Sequence, residues 1–201
     1  MLSAHGLTCV RGERRLFAGL DLAIDAGQWL HVRGENGAGK TSLLRLLAGL
    51  SQPAAGEIDW CGQSIRHADE QYRRDLLFLG HHGALKEELT ALENLQFAAA
   101  LDGAALPEPE AMAALHRFGL KGREELPVRF LSAGQKRRVL LARLLTRKAK
   151  LWILDEPFTA LDVKAVDLLA ALISEHLAGG GMAVLTSHQA MPIPGGRELQ
   201  L

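Results

Sequence analysis

A glycine-rich segment that ends in a lysine and a threonine is the first stretch of the chain whose spacing could bind phosphate. It consists of Gly34, Glu35, Asn36, Gly37, Ala38, Gly39, Lys40 and Thr41, with Ser42 following. This order fits the phosphate-loop pattern G-x-x-x-x-G-K-[ST]. Its small residues let consecutive backbone N–H groups curl around phosphate oxygens at a helix N-terminus. We expect Lys40 to reach the β- and γ-phosphates of a nucleotide and Thr41 to ligate Mg²⁺.

Two carboxylates follow a later apolar run and could supply the second half of such a site. Asp155 and Glu156 come directly after the apolar residues 151–154, and ligands bind at the carboxyl ends of strands in open α/β sheets. There Asp155 suits a magnesium site, and Glu156 can polarise the water that attacks the γ-phosphate. Taken alone, such a run is equally typical of a strand that ends in solvent. The phosphate loop upstream favours the catalytic interpretation.

The elements that must position these residues follow from the hydrophobic pattern. Short apolar runs at 20–24 and 29–32 predict antiparallel strands that lead into a buried strand before the phosphate loop. Leucines at helical spacing after the loop predict a helix that stops before Pro53. Further strands are predicted at 57–65, 76–79, 151–154 and 182–186, further helices at 90–101 and 163–177, and a surface loop at 102–110. Residues 110–145 are predicted to be a helical region whose longest helix begins at Ser132. A capping box of Thr90 and Glu93 begins the helix at 90–101.

The order of these elements predicts an α/β P-loop fold in a single domain, 1–201. Residues 1–82 and 144–201 are expected to form the nucleotide-binding core, with an antiparallel β portion at the N-terminus. Residues 83–143 are expected to form an inserted helical subdomain.

Composition limits the kinds of partner. Lys plus Arg number 23 and Asp plus Glu also 23, so the chain lacks the basic field that holds a protein on nucleic acid, and we expect no nucleic-acid partner. The richest apolar run, 166–185, is interrupted by Glu and His, so no direct membrane insertion is expected. The N-terminus has no signal-peptide pattern, and we expect a cytosolic chain that reaches a membrane only through a partner. Cys9 and Cys61 lie outside any metal-ligand spacing and are predicted to be buried thiols.

A second candidate anion seat precedes the Asp-Glu strand. Ser132, Ala133, Gly134 and Gln135 begin a predicted helix. Ser132 is expected to cap this helix, with Gln135 completing a capping box, so that the first backbone amides point outward. The segment resembles the signature sequence of the ABC ATPases, with Ala133 where glycine is commoner. An ordinary capped surface helix would explain these residues in isolation, but their position between the phosphate loop and the Asp-Glu strand favours the signature.

The resemblance to the ABC ATPases covers nearly the whole chain. It implies their fold, with a RecA-like core, and two ATP molecules held between head-to-tail protomers, so that the signature acts on the partner's nucleotide. It also implies that Asp162 lies in a loop that passes information across the dimer, and that His188 is the switch histidine that contacts the γ-phosphate. His82 stands where the family usually has a glutamine before the helical block. The residue that stacks on adenine is left open between Arg11 and Phe17.

Several segments are similar in particular to the ATPases of bacterial cytochrome c maturation, or haem-export, systems: 36–45, 80–81, 89–95, 131–135 and 186–189. This resemblance implies an ATP-hydrolysing subunit that uses ATP and Mg²⁺ and forms an ATP-dependent homodimer. It would act on membrane-spanning transporter subunits at the cytoplasmic face of the inner membrane, and haem is implied by the resemblance alone. One alternative is a soluble ABC ATPase of DNA repair or translation, although those usually carry a coiled-coil insertion, zinc-binding cysteines or two cassettes. A module that switches with nucleotide without hydrolysing it is disfavoured by Glu156 and His188.

Overall fold

Two groups of residues pack separately in the computed structural model, which describes residues 1–66, 70–80, 84–187 and 191–201. The first unit comprises Met1–His81, Ala149–Pro157 and Ile173–Leu201. The second comprises His82–Lys148 and Phe158–Leu172. The second unit thus contains the segment 83–143 and, in addition, 144–148 and 158–172.

The elements are numbered in chain order. The strands are β1 (Leu2–Arg11), β2 (Arg14–Ile24), β3 (Trp29–Arg33), β4 (Ala55–Trp60), β5 (Gln63–Ser64), β6 (Leu76–Leu79), β7 (Leu151–Leu154), β8 (Met182–Thr186) and β9 (Arg197–Gln200). The helices are α1 (Lys40–Leu47), α2 (Glu70–Asp75), α3 (Ala91–Leu101), α4 (Glu108–Arg117), α5 (Ala133–Thr146) and α6 (Val163–Ala178), with a 3-10 helix at Val128–Phe130. Within the part of the chain that the structure describes, none of these helices has the length and apolar character needed to cross a bilayer.

The strands form two sheets in the first unit. The antiparallel sheet has the order β2-β1-β4-β5, and the parallel sheet has the order β6-β7-β8-β3-β9. Leu43, Leu44 and Leu47 of α1 are fully buried and share one apolar core with residues of both sheets. Their spacing places them on one face of the helix, and packing this face against the sheets removes it from water. The predicted α/β P-loop fold with an N-terminal antiparallel portion is confirmed.

The parallel sheet determines where the functional residues meet. β7 and β8 are buried along their whole length, which is typical of strands covered on both faces. β8 pairs with β7 on one side and with β3 on the other. Because these strands run in the same direction, the segments that follow them lie at one edge of the sheet. That edge therefore brings together the phosphate loop after β3, Asp155 and Glu156 after β7, and Ser187 after β8.

In the second unit, α3, α4 and α5 pack against one another. The predicted capping box of α3 is confirmed, because Thr90 Oγ1 accepts from the Glu93 amide at 3.1 Å and Glu93 Oε2 accepts from the Thr90 amide at 2.8 Å. The buried Asn94 fixes the preceding turn, since it accepts from the Lys86 amide at 2.8 Å and donates to the Lys86 carbonyl at 3.0 Å. Side-chain hydrogen bonds therefore set the entry to this unit's first helix.

The predicted strand at 57–65 is wrong in its extent. β4 ends at Trp60, and Cys61 and Gly62 form a turn with φ of 52° and 80° before the short β5. Cys61 is consequently exposed, contrary to the prediction of a buried thiol, whereas Cys9 is buried. The turn leaves the Cys61 side chain at the surface instead of in the apolar core.

The predicted loop at 102–110 is also wrong in part. α4 already begins at Glu108, and Pro109 is tolerated there because the first turn of a helix needs no hydrogen-bonded amide. Within the predicted helical region 110–145, the chain leaves the helical conformation after Arg117, where Gly119 and Gly122 have φ of 73° and 78°. The longest helix of this region, α5, begins after Ser132 as predicted. The sequence pattern did not predict α2 and β9.

Candidate nucleotide-binding site

The phosphate loop joins β3 to α1, and its glycines have backbone conformations that other residues rarely adopt. Gly37 and Gly39 have φ of 84° and 111°, values that are accessible mainly without a Cβ. At Gly39, which caps α1, a Cβ would also lie 3.2 Å from the Cβ of Leu16. The backbone can follow this path because these positions carry no side chain.

Lys40 is buried at the first position of α1, with 8% of its surface exposed. Its Nζ donates to the carbonyls of Gly34 at 2.8 Å and Glu35 at 3.0 Å. These bonds hold the ammonium group inside the loop, at a helix N-terminus whose amides and dipole favour an anion. Of the other predicted loop residues, Glu35, Asn36 and Thr41 are exposed, and Ala38 and Ser42 are half-buried.

Asp155 links the phosphate loop to two strands. It is 2% exposed, and its Oδ2 accepts a hydrogen bond from Thr41 Oγ1 at 2.8 Å. Its Oδ1 accepts from Thr186 Oγ1 at 2.7 Å, and the same Thr186 oxygen accepts from the Glu156 amide at 2.8 Å. One hydroxyl at the end of β8 therefore orients both acidic residues that follow β7.

The oxygen atoms of Thr41 and Asp155 are the kind of ligand that Mg²⁺ prefers in proteins. They approach each other from two different elements, α1 and the end of β7. These residues therefore fit the predicted magnesium site.

Glu156 has a left-handed backbone, with φ of 49°. A non-glycine residue in this region costs about 1–3 kcal/mol and persists where its surroundings fix it. The hydrogen bond from its amide to Thr186 is one such constraint. Thr186 is missing from the predicted site residues. The sequence shows a hydroxyl at the end of an apolar run, but its place beside the Asp-Glu strand comes from the pairing of β7 with β8.

His82 and His188, predicted as the hinge residue and the γ-phosphate switch, lie outside the described residues. The neighbouring Ser187 is described and is buried. The roles of these two histidines therefore stay predictions.

The signature segment lies in the second unit, at the N-terminus of α5. The capping box is confirmed, because Ser132 Oγ accepts from the Gln135 amide at 3.2 Å and Gln135 Oε1 accepts from the Ser132 amide at 2.9 Å. Ala133 and Gly134 occupy the first turn. A Cβ at Gly134 would lie only 2.9 Å from the carbonyl oxygen of Ala160, so glycine is required there by a contact within the chain.

Asp162 caps α6 and also pairs with the signature helix. Its Oδ1 accepts from the Ala165 amide at 2.9 Å, and its Oδ2 accepts from Arg138 Nη2 at 2.5 Å. The Ala165 amide, together with the Arg138 guanidinium, holds the pKa of Asp162 below its usual range. The structure thus adds Arg138 to the residues that the sequence placed near the signature.

The two candidates for adenine stacking differ in their surroundings. Phe17 is half-buried beside the phosphate loop, since a Cβ at Gly39 would lie 3.3 Å from its Cδ1. Arg11 is exposed at the end of β1. The choice between them stays open.

A phosphate loop between a buried strand and a helix, an acidic strand end that bonds to that loop, and a helical unit with its own capped signature occur together in one class of protein. The fold and the site define an ABC-type ATPase. Comparison with known proteins agrees, because the family model described as ABC transporter matches residues 17–159.

The relatives narrow the family further. A Dechloromonas aromatica (strain RCB) protein described as cytochrome c biogenesis ATP-binding export protein CcmA is 60% identical over 203 residues, covering 100% of both chains. A protein of the same description from Nitrosomonas europaea is 53% identical over 191 residues, covering 95% of this chain and 90% of its own. The chain belongs to the ABC transporter family and, within it, to the cytochrome c biogenesis ATP-binding export proteins CcmA.

Solved structures show the same fold. A putative ABC transporter ATP-binding protein from Pyrococcus furiosus is 25% identical with a TM-score of 0.85, covering 100% of this chain and 96% of its own. An ATP-binding subunit of an ABC transporter is 29% identical with a TM-score of 0.83, covering 93% of this chain and 79% of its own. The predicted ATP-hydrolysing subunit of an ABC-type transport complex, with ATP as its nucleotide, is confirmed, and none of these findings favours a soluble ATPase of DNA repair or translation.

Proposed function

We propose that the chain hydrolyses ATP to drive an export step of cytochrome c biogenesis in membrane-spanning partner subunits. Relatives that align over nearly their whole length carry cytochrome c biogenesis and export in their names, and the sequence resemblance adds haem. The observation that carries the hydrolytic part is the 2.8 Å hydrogen bond between Thr41 and Asp155. It joins the phosphate loop to the acidic end of β7, as phosphoryl transfer with a metal requires.

Phosphate binding falls to the loop 34–42. Lys40 exchanges the carbonyls of Gly34 and Glu35 for oxygens of the β- and γ-phosphates, a short movement because its Nζ already lies inside the loop. Backbone amides of the loop and of the first turn of α1 supply the remaining donors. This arrangement holds the triphosphate without bulky side chains.

Thr41 and Asp155 would hold Mg²⁺. The chemistry that the bound ion supplies is neutralisation of charge on the phosphate oxygens. Thr186 keeps Asp155 in place through its 2.7 Å hydrogen bond.

Glu156 polarises the attacking water. The water oxygen forms a bond to the γ-phosphorus as one of its protons passes to the Glu156 carboxylate. The bond between the γ-phosphorus and the bridging oxygen breaks, and ADP and phosphate leave. His188 contacts the γ-phosphate, and His82 serves in place of the family's glutamine. Support for the role of Glu156 comes from its constrained backbone one residue beyond Asp155.

A second protomer completes the site. Ser132, Ala133, Gly134 and Gln135 contact the nucleotide of the partner, and Asp162 carries information across the ATP-dependent homodimer. The capped N-terminus of α5 supports this role because its outward amides can receive a phosphate. The contact of Gly134 with Ala160 and the pairing of Arg138 with Asp162 link the signature to the Asp162 loop.

The partners are membrane-spanning transporter subunits, on which the protein acts at the cytoplasmic face of the bacterial inner membrane. Support comes from the export named for its relatives. The nucleotide-binding core is proposed as 1–82 and 144–201, with 83–143 as the helical subdomain.

Steady-state phosphate release tests the chemistry. Glu156→Gln should bind ATP and stop turnover, and light scattering should then show an ATP-bound dimer. Lys40→Ala should lose ATP binding. Glu57→Gln, the same change at an exposed carboxylate on β4, serves as the control. Turnover by Glu156→Gln at the wild-type rate would show that the assigned role is wrong.

Copurification from native membranes tests the partners. We expect integral membrane subunits of cytochrome c biogenesis, with haem detectable by absorbance, in proportion to the ATPase. Copurification with unrelated transporter subunits and without haem would contradict the proposed cargo while leaving the ATPase chemistry intact.

A further inference from the structure

One face of β3, the strand that leads into the phosphate loop, carries three large side chains. Trp29, His31 and Arg33 alternate along the strand and so point to the same side. Trp29 and His31 are buried, at 4% and 5% exposed. β3 lies between β8 and β9, so this face can contact the segments next to both neighbours.

Trp29 and Arg33 contact β9 and the residues that lead into it. Trp29 Nε1 donates to the Pro194 carbonyl at 3.0 Å, and a Cβ at Gly196 would lie 2.3 Å from the Trp29 ring. Arg33 Nη1 lies 3.1 Å from both carboxylate oxygens of Glu198. The segment that leads into β9 is therefore packed tightly on β3.

His31 reaches the β8 side of the same face. Its Nε2 lies 3.4 Å from the carbonyl oxygen of Ser187, and its Nδ1 lies 4.0 Å from Glu198 Oε1. Because a carbonyl oxygen only accepts, Nε2 carries the proton that it donates to Ser187. The side chain thus links β3 to the end of β8, while its unprotonated Nδ1 faces the Glu198 carboxylate without donating to it.

The surroundings of His31 keep this ring neutral. Burial lowers its pKa most, and the Arg33 guanidinium lowers it further, whereas the Ser187 carbonyl and the carboxylates of Glu198 and Glu156 act in the opposite direction. The net pKa lies below the ordinary value. At neutral pH the ring therefore offers a single N–H, and Ser187 receives it.

We propose that His31 is a positioning residue for ATP hydrolysis, which holds the backbone at Ser187, the residue that precedes His188 in the sequence. β3 connects His31 directly to the phosphate loop, because Gly34 comes three residues after His31. The residue after β9 also pairs with the end of β3, because the Leu201 amide donates to the Arg33 carbonyl at 3.0 Å. The inference rests on the proposed role of His188 at the γ-phosphate.

Kinetics of ATP hydrolysis by the full chain test this role. His31→Leu should lower kcat about 3- to 10-fold, the range expected for losing one hydrogen bond, and leave KM for ATP nearly unchanged. His31→Gln should keep most of the activity, because its amide can also donate to Ser187. His5→Leu, which changes an exposed histidine on β1, should have no effect.

A double-mutant cycle with His188→Ala separates positioning from general stability. If His31 acts through His188, adding His31→Leu to His188→Ala should cause no further loss of kcat. If the losses of kcat in the two single variants multiply in the double variant, the inference is wrong. A lower melting temperature of His31→Leu with unchanged kcat would also overturn it. Both results would leave the proposed role of His188 intact. Wild-type turnover by His188→Ala would remove the proposed role of His188 and the inference with it.

Discussion

Replacing Thr186 by valine removes one hydroxyl and keeps a β-branched side chain of similar shape. This residue is fully buried, and its oxygen donates to Asp155 at 2.7 Å and accepts from the Glu156 amide at 2.8 Å. A hydrogen bond to a charged group is worth about 1.5–3 kcal/mol and one to a neutral amide about 0.5–1.5 kcal/mol. We therefore expect Thr186→Val to lower the free energy of unfolding by about 2–4 kcal/mol.

Thermal unfolding followed by circular dichroism measures this loss. For a chain of this size each kcal/mol shifts the melting temperature by about 2–4 °C, so a decrease of about 5–15 °C is expected. Phosphate release should fall as well, because the left-handed backbone of Glu156 loses a constraint. Binding of ATP through Lys40 should change less, since no bond of Lys40 involves Thr186.

Thr186→Ser is the matched control. It keeps the hydroxyl and loses one buried methyl group, which costs about 0.5–1.5 kcal/mol. Its turnover should therefore stay near the wild-type rate. If the valine and serine variants show the same melting temperature and the same turnover, the hydroxyl does not orient Asp155 and Glu156, and the reasoning is refuted.

Three further predictions follow from other parts of the chain. Gly134→Ala would put a Cβ 2.9 Å from the Ala160 carbonyl, so the unfolding free energy should fall by about 1–3 kcal/mol together with turnover; an unchanged melting temperature would contradict this contact. Burial lowers the pKa of His31 and of His176, so the unfolded chain binds more protons and stability should decline as pH falls below about 6.5. Melting temperatures that stay constant from neutral to mildly acidic pH would contradict this predicted loss of stability. His82→Gln should retain turnover and lose it less steeply than the wild type below about pH 6.5, and coinciding pH–rate profiles would indicate that His82 has no such role.

Features that depend on neighbouring residues were predictable from the sequence. The phosphate loop is one contiguous segment, so its spacing alone specifies how the backbone can surround an anion. The capping boxes at Thr90 and Ser132 likewise need only residues three positions apart. The buried strands β6, β7 and β8 have the predicted bounds, because strands covered on both faces appear as continuous apolar runs.

Features that depend on distant pairing were not predictable in the same way. Thr186 becomes a site residue only because β8 lies beside β7, which puts its hydroxyl within 2.8 Å of atoms 30 and 31 residues away in sequence. β9 is short and exposed in part, and its strand conformation comes from pairing with β3. The prediction that Cys61 is buried was wrong because Cys61 and the glycine after it form a tight turn, which outweighs the apolar character of the thiol.

The left-handed backbone at Glu156 explains how two consecutive acidic residues can serve different purposes. If β7 continued through Glu156, this residue would be part of the strand, and its amide could form a hydrogen bond to a neighbouring strand. Instead the strand ends at Leu154, Asp155 stays bound to Thr41, and the chain turns sharply at the next residue. The Glu156 amide then bonds to the same Thr186 hydroxyl that holds Asp155. One buried threonine thus fixes both the residue suited to the metal and the start of the turn that carries the proposed base, so a change at this position should affect both together.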